Sequence, residues 1–157
     1  MEHQSQSPTQ PRREGAEVMK AISLYQPFAS LMAIGAKIHE TRGWPTKHRG
    51  PLAICAGKSM VGWKWIDAKL DDEIFEMFGA CHNSFPYGTV VAVVDLIDCL
   101  RVEDAIPDEF DRKVGDYSPG RFAWKCANPR PINCTPIRGM QGLFNIPDID
   151  ILSSRPC

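Results

Sequence analysis

Gly35-Ala36-Lys37-Ile38-His39-Glu40-Thr41-Arg42 decides how this chain folds, because a helical pattern ends in it and an extended one begins. Upstream, Phe28, Leu31, Met32 and Ile34 recur at helical spacing, and Pro27 has the fixed φ and missing N–H that suit a first helical turn. The pattern predicts a short amphipathic helix over 27–34, closed by Gly35 in the left-handed conformation of a C-terminal cap. Lys37 then falls in the turn beyond. Residues 38–42, when extended, put Ile38, Glu40 and Arg42 on one face, with about 6.6–7 Å between alternate residues, and His39 and Thr41 on the other. Glu40 and Arg42 then meet across one ligand, with Lys37 in reach of both. The same charges also suit a salt bridge that closes the helix-to-strand turn, and the stretch by itself leaves both readings open.

Working outward, residues 19–25 read as a first strand ended by Gln26-Pro27. After the central stretch comes a loop bracketed by glycines, Gly43-Trp44-Pro45-Thr46-Lys47-His48-Arg49-Gly50, then a buried strand over 51–56 that runs into Gly57-Lys58-Ser59. Trp63, Ile66, Leu70, Ile74 and Phe78 keep helical spacing and predict one long helix over 61–78 with an acidic outer face. Residues 89–100 are the densest β-branched run and should be the central strand. A short helix is expected over 102–110, a turn at Asp116-Tyr117-Ser118-Pro119-Gly120 and a strand over 121–126. Pro129, Pro131 and Pro136 predict an irregular path to Gly139-Met140-Gln141-Gly142 and a last strand over 143–146. Without a βαβ alternation, this order reads as α+β: a small mixed β-barrel of five to six strands with two or three flanking helices.

A chain of 157 residues with 43% hydrophobic content suits one domain with a real core. The expected limits are 19–147, with a disordered polar tail over 1–18 and a loose C-terminal tail over 148–157. A net charge of −1 argues against a protein wholly devoted to coating nucleic acid, but the charges are segregated. Residues 36–64 carry six bases and one acid (+5), residues 66–116 carry 13 acids and four bases (−9), and residues 117–147 carry four bases and no acid (+4). Folded together, the two basic segments would make one positive face fit for a phosphate backbone; kept apart, they are ordinary solvated charges.

The six cysteines include no C-x-x-C pair, which argues against a zinc ribbon or a redox motif, and Cys55, Cys99 and Cys126 lie among apolar residues as small hydrophobes. His39 and His48 lack metal-ligand spacing, and no Gly-rich phosphate loop or nucleophile elbow occurs, so neither a metal nor a cofactor is expected. The first 17 residues lack an apolar signal core and no run approaches the roughly 20 apolar residues of a membrane span. The expectation is a soluble intracellular protein, cytoplasmic or, in a eukaryote, nuclear. Trp44, beside the basic loop, is either a core ring or a platform for a base; Trp63, Trp65 and Trp124 are expected to pack.

Several blocks in order carry a family resemblance. They are Ile22-Ser23-Leu24-Tyr25-Gln26-Pro27-Phe28-Ala29-Ser30-Leu31, Gly35-x-Lys37-x-x-Glu40-x-Arg42-x-Trp44, Arg49-Gly50-Pro51-Leu52-Ala53-Ile54, Ala56-x-Lys58, Arg121-Phe122-Ala123-Trp124 and Gly139-x-Gln141-Gly142-Leu143. Together they resemble the ASCH domain, the activating-signal-cointegrator homology domain of the PUA-like superfamily, over roughly 19–147. The resemblance implies a β-barrel related to RNA-modification domains, with the G-x-K-x-x-E-x-R signature lining a cleft between the first helix and the barrel. It also implies RNA or DNA binding, with suspected nucleases among its members and a compact branch similar to an amidohydrolase of N4-acetylated cytidine. Carried over, Lys37, Glu40 and Arg42 lie on the cleft floor, with Gln26, Trp44 and Lys58 on its walls. The compact branch has Thr where this chain has Glu40, and Thr41 faces away from it on a strand, which departs from that chemistry.

The expectation is therefore a monomeric module that binds RNA, another single strand or a nucleotide. Lys47, Arg49, Lys58 and Arg121 would hold phosphates beside Lys37, Glu40, Arg42, Gln26 and Trp44. The competing expectation is a metal-independent hydrolase acting on RNA or N4-acetylcytidine. On RNA, Lys37 would act as general base or phosphate electrophile, with Ser118 or Tyr117 from the later loop assisting; on N4-acetylcytidine, Lys37 would activate water and Glu40 would shuttle the proton.

Overall fold

The computed structural model describes residues 18–149, apart from the side chain of Cys134. Six strands, three α-helices and two short 3₁₀ turns follow in the order β1 (Val18–Leu24), α1 (Phe28–Ala33), β2 (His39–Arg42), β3 (Gly50–Ala56), a 3₁₀ turn (Val61–Trp65), α2 (Ala68–Phe78), a 3₁₀ turn (His82–Ser84), β4 (Thr89–Arg101), α3 (Glu109–Lys113), β5 (Phe122–Pro136) and β6 (Phe144–Pro147). The class is α+β as expected. The tails expected over 1–18 and 148–157 lie outside the described residues, except for Val18, which opens β1, and Asp148 and Ile149.

The strands form one mixed sheet in the order β2-β5-β4-β3-β1-β6, in which only β1 and β3 run parallel. β4 is central, as its β-branched run predicts: Val90 to Val94 are all buried, the pattern of a strand covered on both faces. One face packs Ile22, Leu24, Ile54, Val91, Leu96 and Trp124 under Ala29, Met32 and Ala33 of α1. The other gathers Met19, Ala21, Ala53, Cys55, Val90, Val93, Ile132, Phe144 and Ile146, and no helix takes part in this second cluster. To bury those residues the sheet must curl around them. Among the described residues β2 and β6 do not pair, so the expected barrel is an open, rolled sheet.

A third cluster, Leu31, Trp63, Leu70, Ile74, Phe85 and Val114, wedges α1 between the sheet and α2. A fully buried Leu or Ile such as Leu31 (0% exposed) or Ile74 (1%) contributes about 1.5–3 kcal/mol through removal from water.

Three local expectations are corrected. The long helix over 61–78 is two elements, because Ile66 and Asp67 are extended and Asp67 caps α2 by accepting the Leu70 N–H at 2.9 Å. The helix expected over 102–110 forms instead at Glu109–Lys113, where Asp108 accepts the Asp111 N–H at 2.7 Å. The irregular path through Pro129, Pro131 and Pro136 is the continuation of β5. Beyond Lys125 the ladder with β2 ends, so these prolines lie where β5 has only β4 as a strand partner, and register shifts against β4 absorb the irregularity.

Candidate functional site

The central stretch takes the shape its pattern predicts. Gly35 has φ +76° and its N–H donates to the Met32 carbonyl, while the Lys37 N–H donates to Leu31 O, so α1 ends in a left-handed cap that sets Lys37 at the turn. β2 follows with His39 and Thr41 buried and Glu40 and Arg42 half-buried, the alternation of a strand with one face against the protein. Lys37 is only 2% exposed. Its Nζ donates to the Val114 carbonyl at 2.8 Å, stands 3.7 Å from Glu40 Oε2 and lies 5.9 Å from the Phe28 ring centroid. Arg42 donates from Nε to Glu40 Oε1 at 3.0 Å and from Nη2 to the Ser23 carbonyl at 2.8 Å. Glu40 is thus held between two cations, and the salt bridge that closes the turn is also the candidate site.

The opposite face of β2 is anchored by a residue that sequence reasoning missed. Asp111, fully buried within α3, accepts the Ile38 N–H (2.7 Å) and His39 N–H (3.2 Å) at Oδ1. Its Oδ2 accepts the Tyr117 hydroxyl at 2.8 Å and lies 2.7 Å from His39 Nδ1. Burial pushes the Asp111 carboxyl up, but the His39 contact, the two backbone N–H groups and the Tyr117 hydroxyl outweigh it and hold the carboxyl below the usual range. Burial and the bond to Asp111 push the Tyr117 hydroxyl well above its ordinary value, so Tyr117 serves as a neutral donor. The sequence signal was the Asp108-x-x-Asp111 pair in a stretch that reads as a solvated acidic surface.

The remaining predicted residues divide by environment. Gln26 is fully buried: its Nε2 donates to Ser30 Oγ and Pro86 O, both at 2.8 Å, and its Oε1 accepts the Ser30 N–H at 3.0 Å. It holds the loop before α1 together instead of facing outward from a cleft wall. Ser118 gives its hydroxyl to Asp116 in an exposed turn and bonds neither Lys37 nor Glu40. Arg121 joins that turn to β2 by donating to Asp116 O and Thr41 O, both at 3.1 Å. Trp44 is 37% exposed, with its ring edge-on to Trp124 at 4.8 Å. Lys47 and Lys58 are exposed without an ion pair among the described residues, whereas Arg49 donates to the Thr46 and His48 carbonyls and stands 3.8 Å from Asp98.

Trp63 and Trp124 pack as expected, but Trp65 is 62% exposed. Cys55 and Cys126 are buried and free, with thiols pushed by burial up to about 12, so they are inert core residues; Cys99 is half-buried. No group of His, Cys, Asp and Glu among the described residues is arranged to hold a metal. No described helix is long and apolar enough to cross a membrane.

Two concavities open elsewhere. One of about 550 Å³ is lined by Met60, Asp71, Phe75, Cys81 and His82 among others, and one of about 260 Å³ by Ser30, Ile34, Phe85 and Pro131 among others. Neither is lined by Lys37, Glu40 or Arg42, whose cluster is closed by its own bonds.

The chain matches known proteins in sequence and in fold. The ASCH domain model matches residues 22–136. Activating signal cointegrator 1 of Mus musculus is 31% identical over 151 residues, which cover 92% of this chain and 25% of that protein. Its Homo sapiens counterpart is 30% identical over 152 residues, with the same coverage of 92% and 25%. The chain therefore spans about a quarter of the length of these relatives. The crystal structure of ASCH from Zymomonas mobilis superposes with a TM-score of 0.50 at 15% identity, covering 82% of this chain and 87% of that one. A point mutant of the same bacterial protein gives 0.50 at 14% identity, covering 82% and 89%. At such identities the likeness is one of fold. With the family model spanning the end of β1, the first helix, the signature and strands β2 to β5, the chain belongs to the ASCH domain family.

Proposed function

We propose that this ASCH domain binds nucleic acid, RNA in particular, along the strand edge that carries Lys37, Glu40 and Arg42. The observation that carries the reading is the meeting of the two basic segments at β2. Arg121 donates to Thr41 O at 3.1 Å and its Nη1 lies 3.8 Å from where a side chain on Gly43 would begin, while Lys125 stands opposite His39 in the β2–β5 ladder, on the other face of the sheet from Glu40 and Arg42. The charge segregation in the sequence is therefore gathered in space around the strand that carries the signature. Lys47 and Lys125 are exposed and make no ion pair among the described residues, which leaves their charge for phosphates. Arg42, Arg49, Lys58 and Arg121 add to that field, and Trp44 offers a partly open ring for a base. Gln26 takes part by holding the loop before α1.

The hydrolase alternative keeps Lys37 and Glu40 as its pair, but a Lys37 that is 2% exposed and bonded to Val114 O favours positioning over proton transfer to a bound substrate. One titration separates the two. Anisotropy of a labelled single-stranded RNA is followed at rising salt, with chelator present and the RNA recovered afterwards for length. Binding should weaken with a linear log–log salt slope, and Lys47→Ala and Lys125→Ala should each reduce that slope by about 0.7, the value for one lost phosphate contact on a single strand. Binding that is absent or insensitive to salt overturns the reading. Shortened RNA whose appearance depends on Lys37 would replace it by the hydrolase.

A further inference from the structure

The exposure of Trp65 contradicts its expected packing, and its surroundings give the exposure a use. Trp65 is 62% exposed and Tyr25 44%, and their ring centroids are 5.8 Å apart at 43°. Trp65 also reaches Phe28 at 6.5 Å and 37°, and Phe28 lies under the Lys37 ammonium. A wall of three aromatic rings thus runs from the signature out to solvent.

The wall is held in place by backbone contact. A side chain on Gly62 would begin 2.2 Å from Gln26 O and 2.7 Å from Tyr25 Cβ, so only glycine lets the 3₁₀ turn carrying Trp65 lie directly on the Tyr25–Gln26 backbone. Gly57 comes within 3.9 Å of the Tyr25 ring by the same measure. Lys64 precedes Trp65, and Lys58 follows Gly57 with its stem lying over Gly88. Both lysines are exposed and neither makes an ion pair among the described residues; Asp67, the acid that follows Trp65 most closely, caps α2. Exposed, preplaced rings flanked by free ammonium groups match the chemistry of a single strand, whose bases stack on aromatic faces while its phosphates take the cations.

We infer that Tyr25 and Trp65, flanked by Lys58 and Lys64, form a stacking platform for unpaired bases that extends the signature face. The inference rests on the nucleic-acid reading above and names the form of the ligand: single-stranded, with bases turned outward. A duplex hides its base faces and gains nothing from the platform.

The test compares single-stranded and duplex RNA of equal length, binding to the full chain and to Trp65→Ala, Tyr25→Ala and Trp65→Phe. Trp65→Ala should weaken single-strand binding by about 10-fold or more, with the salt slope unchanged because a stack carries no charge, and Trp65→Phe should recover much of the loss. Duplex binding should not change. If both alanine variants bind the single strand as the wild type does, while Lys47→Ala weakens it, the platform is wrong and the nucleic-acid reading stands. Equal losses on single strand and duplex also overturn the platform. A wild-type chain without salt-sensitive binding removes both, and leaves the exposed rings to a protein partner.

Discussion

Replacing Asp111 tests whether the signature strand is held from behind. Its two oxygens serve four donors: Ile38 N–H at 2.7 Å, His39 N–H at 3.2 Å, the Tyr117 hydroxyl at 2.8 Å and the His39 ring at 2.7 Å. Alanine leaves all four unmet, and each unmet buried donor costs about 1–3 kcal/mol, which sets an upper range of about 4–12 kcal/mol. Tyr117 is half-buried and regains a water partner, so the expected loss is about 3–5 kcal/mol, the range for breaking a buried charged pair. Asparagine is milder for a reason visible in the bonding. Oδ1 keeps both backbone bonds, and the new amide meets His39 Nδ1 and the Tyr117 hydroxyl, which adapt by changing tautomer and by rotating. Its expected loss is about 1–2 kcal/mol. Urea unfolding at neutral pH measures both. An Asp111→Ala loss below about 1 kcal/mol, or equal losses for alanine and asparagine, would refute the claim that this carboxylate anchors β2.

The Asp111 carboxyl is depressed in the fold, so its contribution is present above the ordinary Asp range near about 3.9 and is lost as pH falls through the lower folded value; the acid limb of urea stability should flatten in Asp111→Asn, and an unchanged limb counts against the assignment. Gly62→Ala places a methyl 2.2 Å from a backbone oxygen that cannot swing away, so stability should fall by about 1–3 kcal/mol, read as a drop in the urea midpoint, and a neutral result would mean that the 3₁₀ turn is not seated on Gln26.

The parts of the fold legible in the sequence were those written in local chemistry. Gly35 marked the end of α1, the alternation over 38–42 gave the two faces of β2, and the β-branched run over 89–100 announced the central strand. What escaped was set by single side chains acting against a pattern. Asp67 stopped a helical periodicity that continues through Trp63 and Leu70, because a capping carboxylate fixes where α2 begins whatever the apolar spacing does. Pro129 and Pro131 hid a strand, since whether proline is tolerated depends on which edge has a partner, a fact of topology. Asp111 was hidden by its acidic neighbours: nothing local distinguishes a carboxylate that will face four donors from one that will face water.

The Asp111 and Arg121 contacts also cover part of the outer edge of the signature strand. β2 stands at the edge of the sheet and pairs only with β5, so its outer backbone groups would invite another strand. Side chains take those positions instead. Asp111 receives the Ile38 and His39 N–H groups, and Arg121 donates to the Thr41 carbonyl. The 108–121 arm thus takes the His39 N–H and the Thr41 carbonyl of this edge, and β2 presents Glu40 and Arg42 on its half-buried face. Lys37 ties that face to the arm by bonding Val114 O and standing beside Glu40. On the proposed nucleic-acid reading, Lys37 is the group that joins the contacted face to the arm.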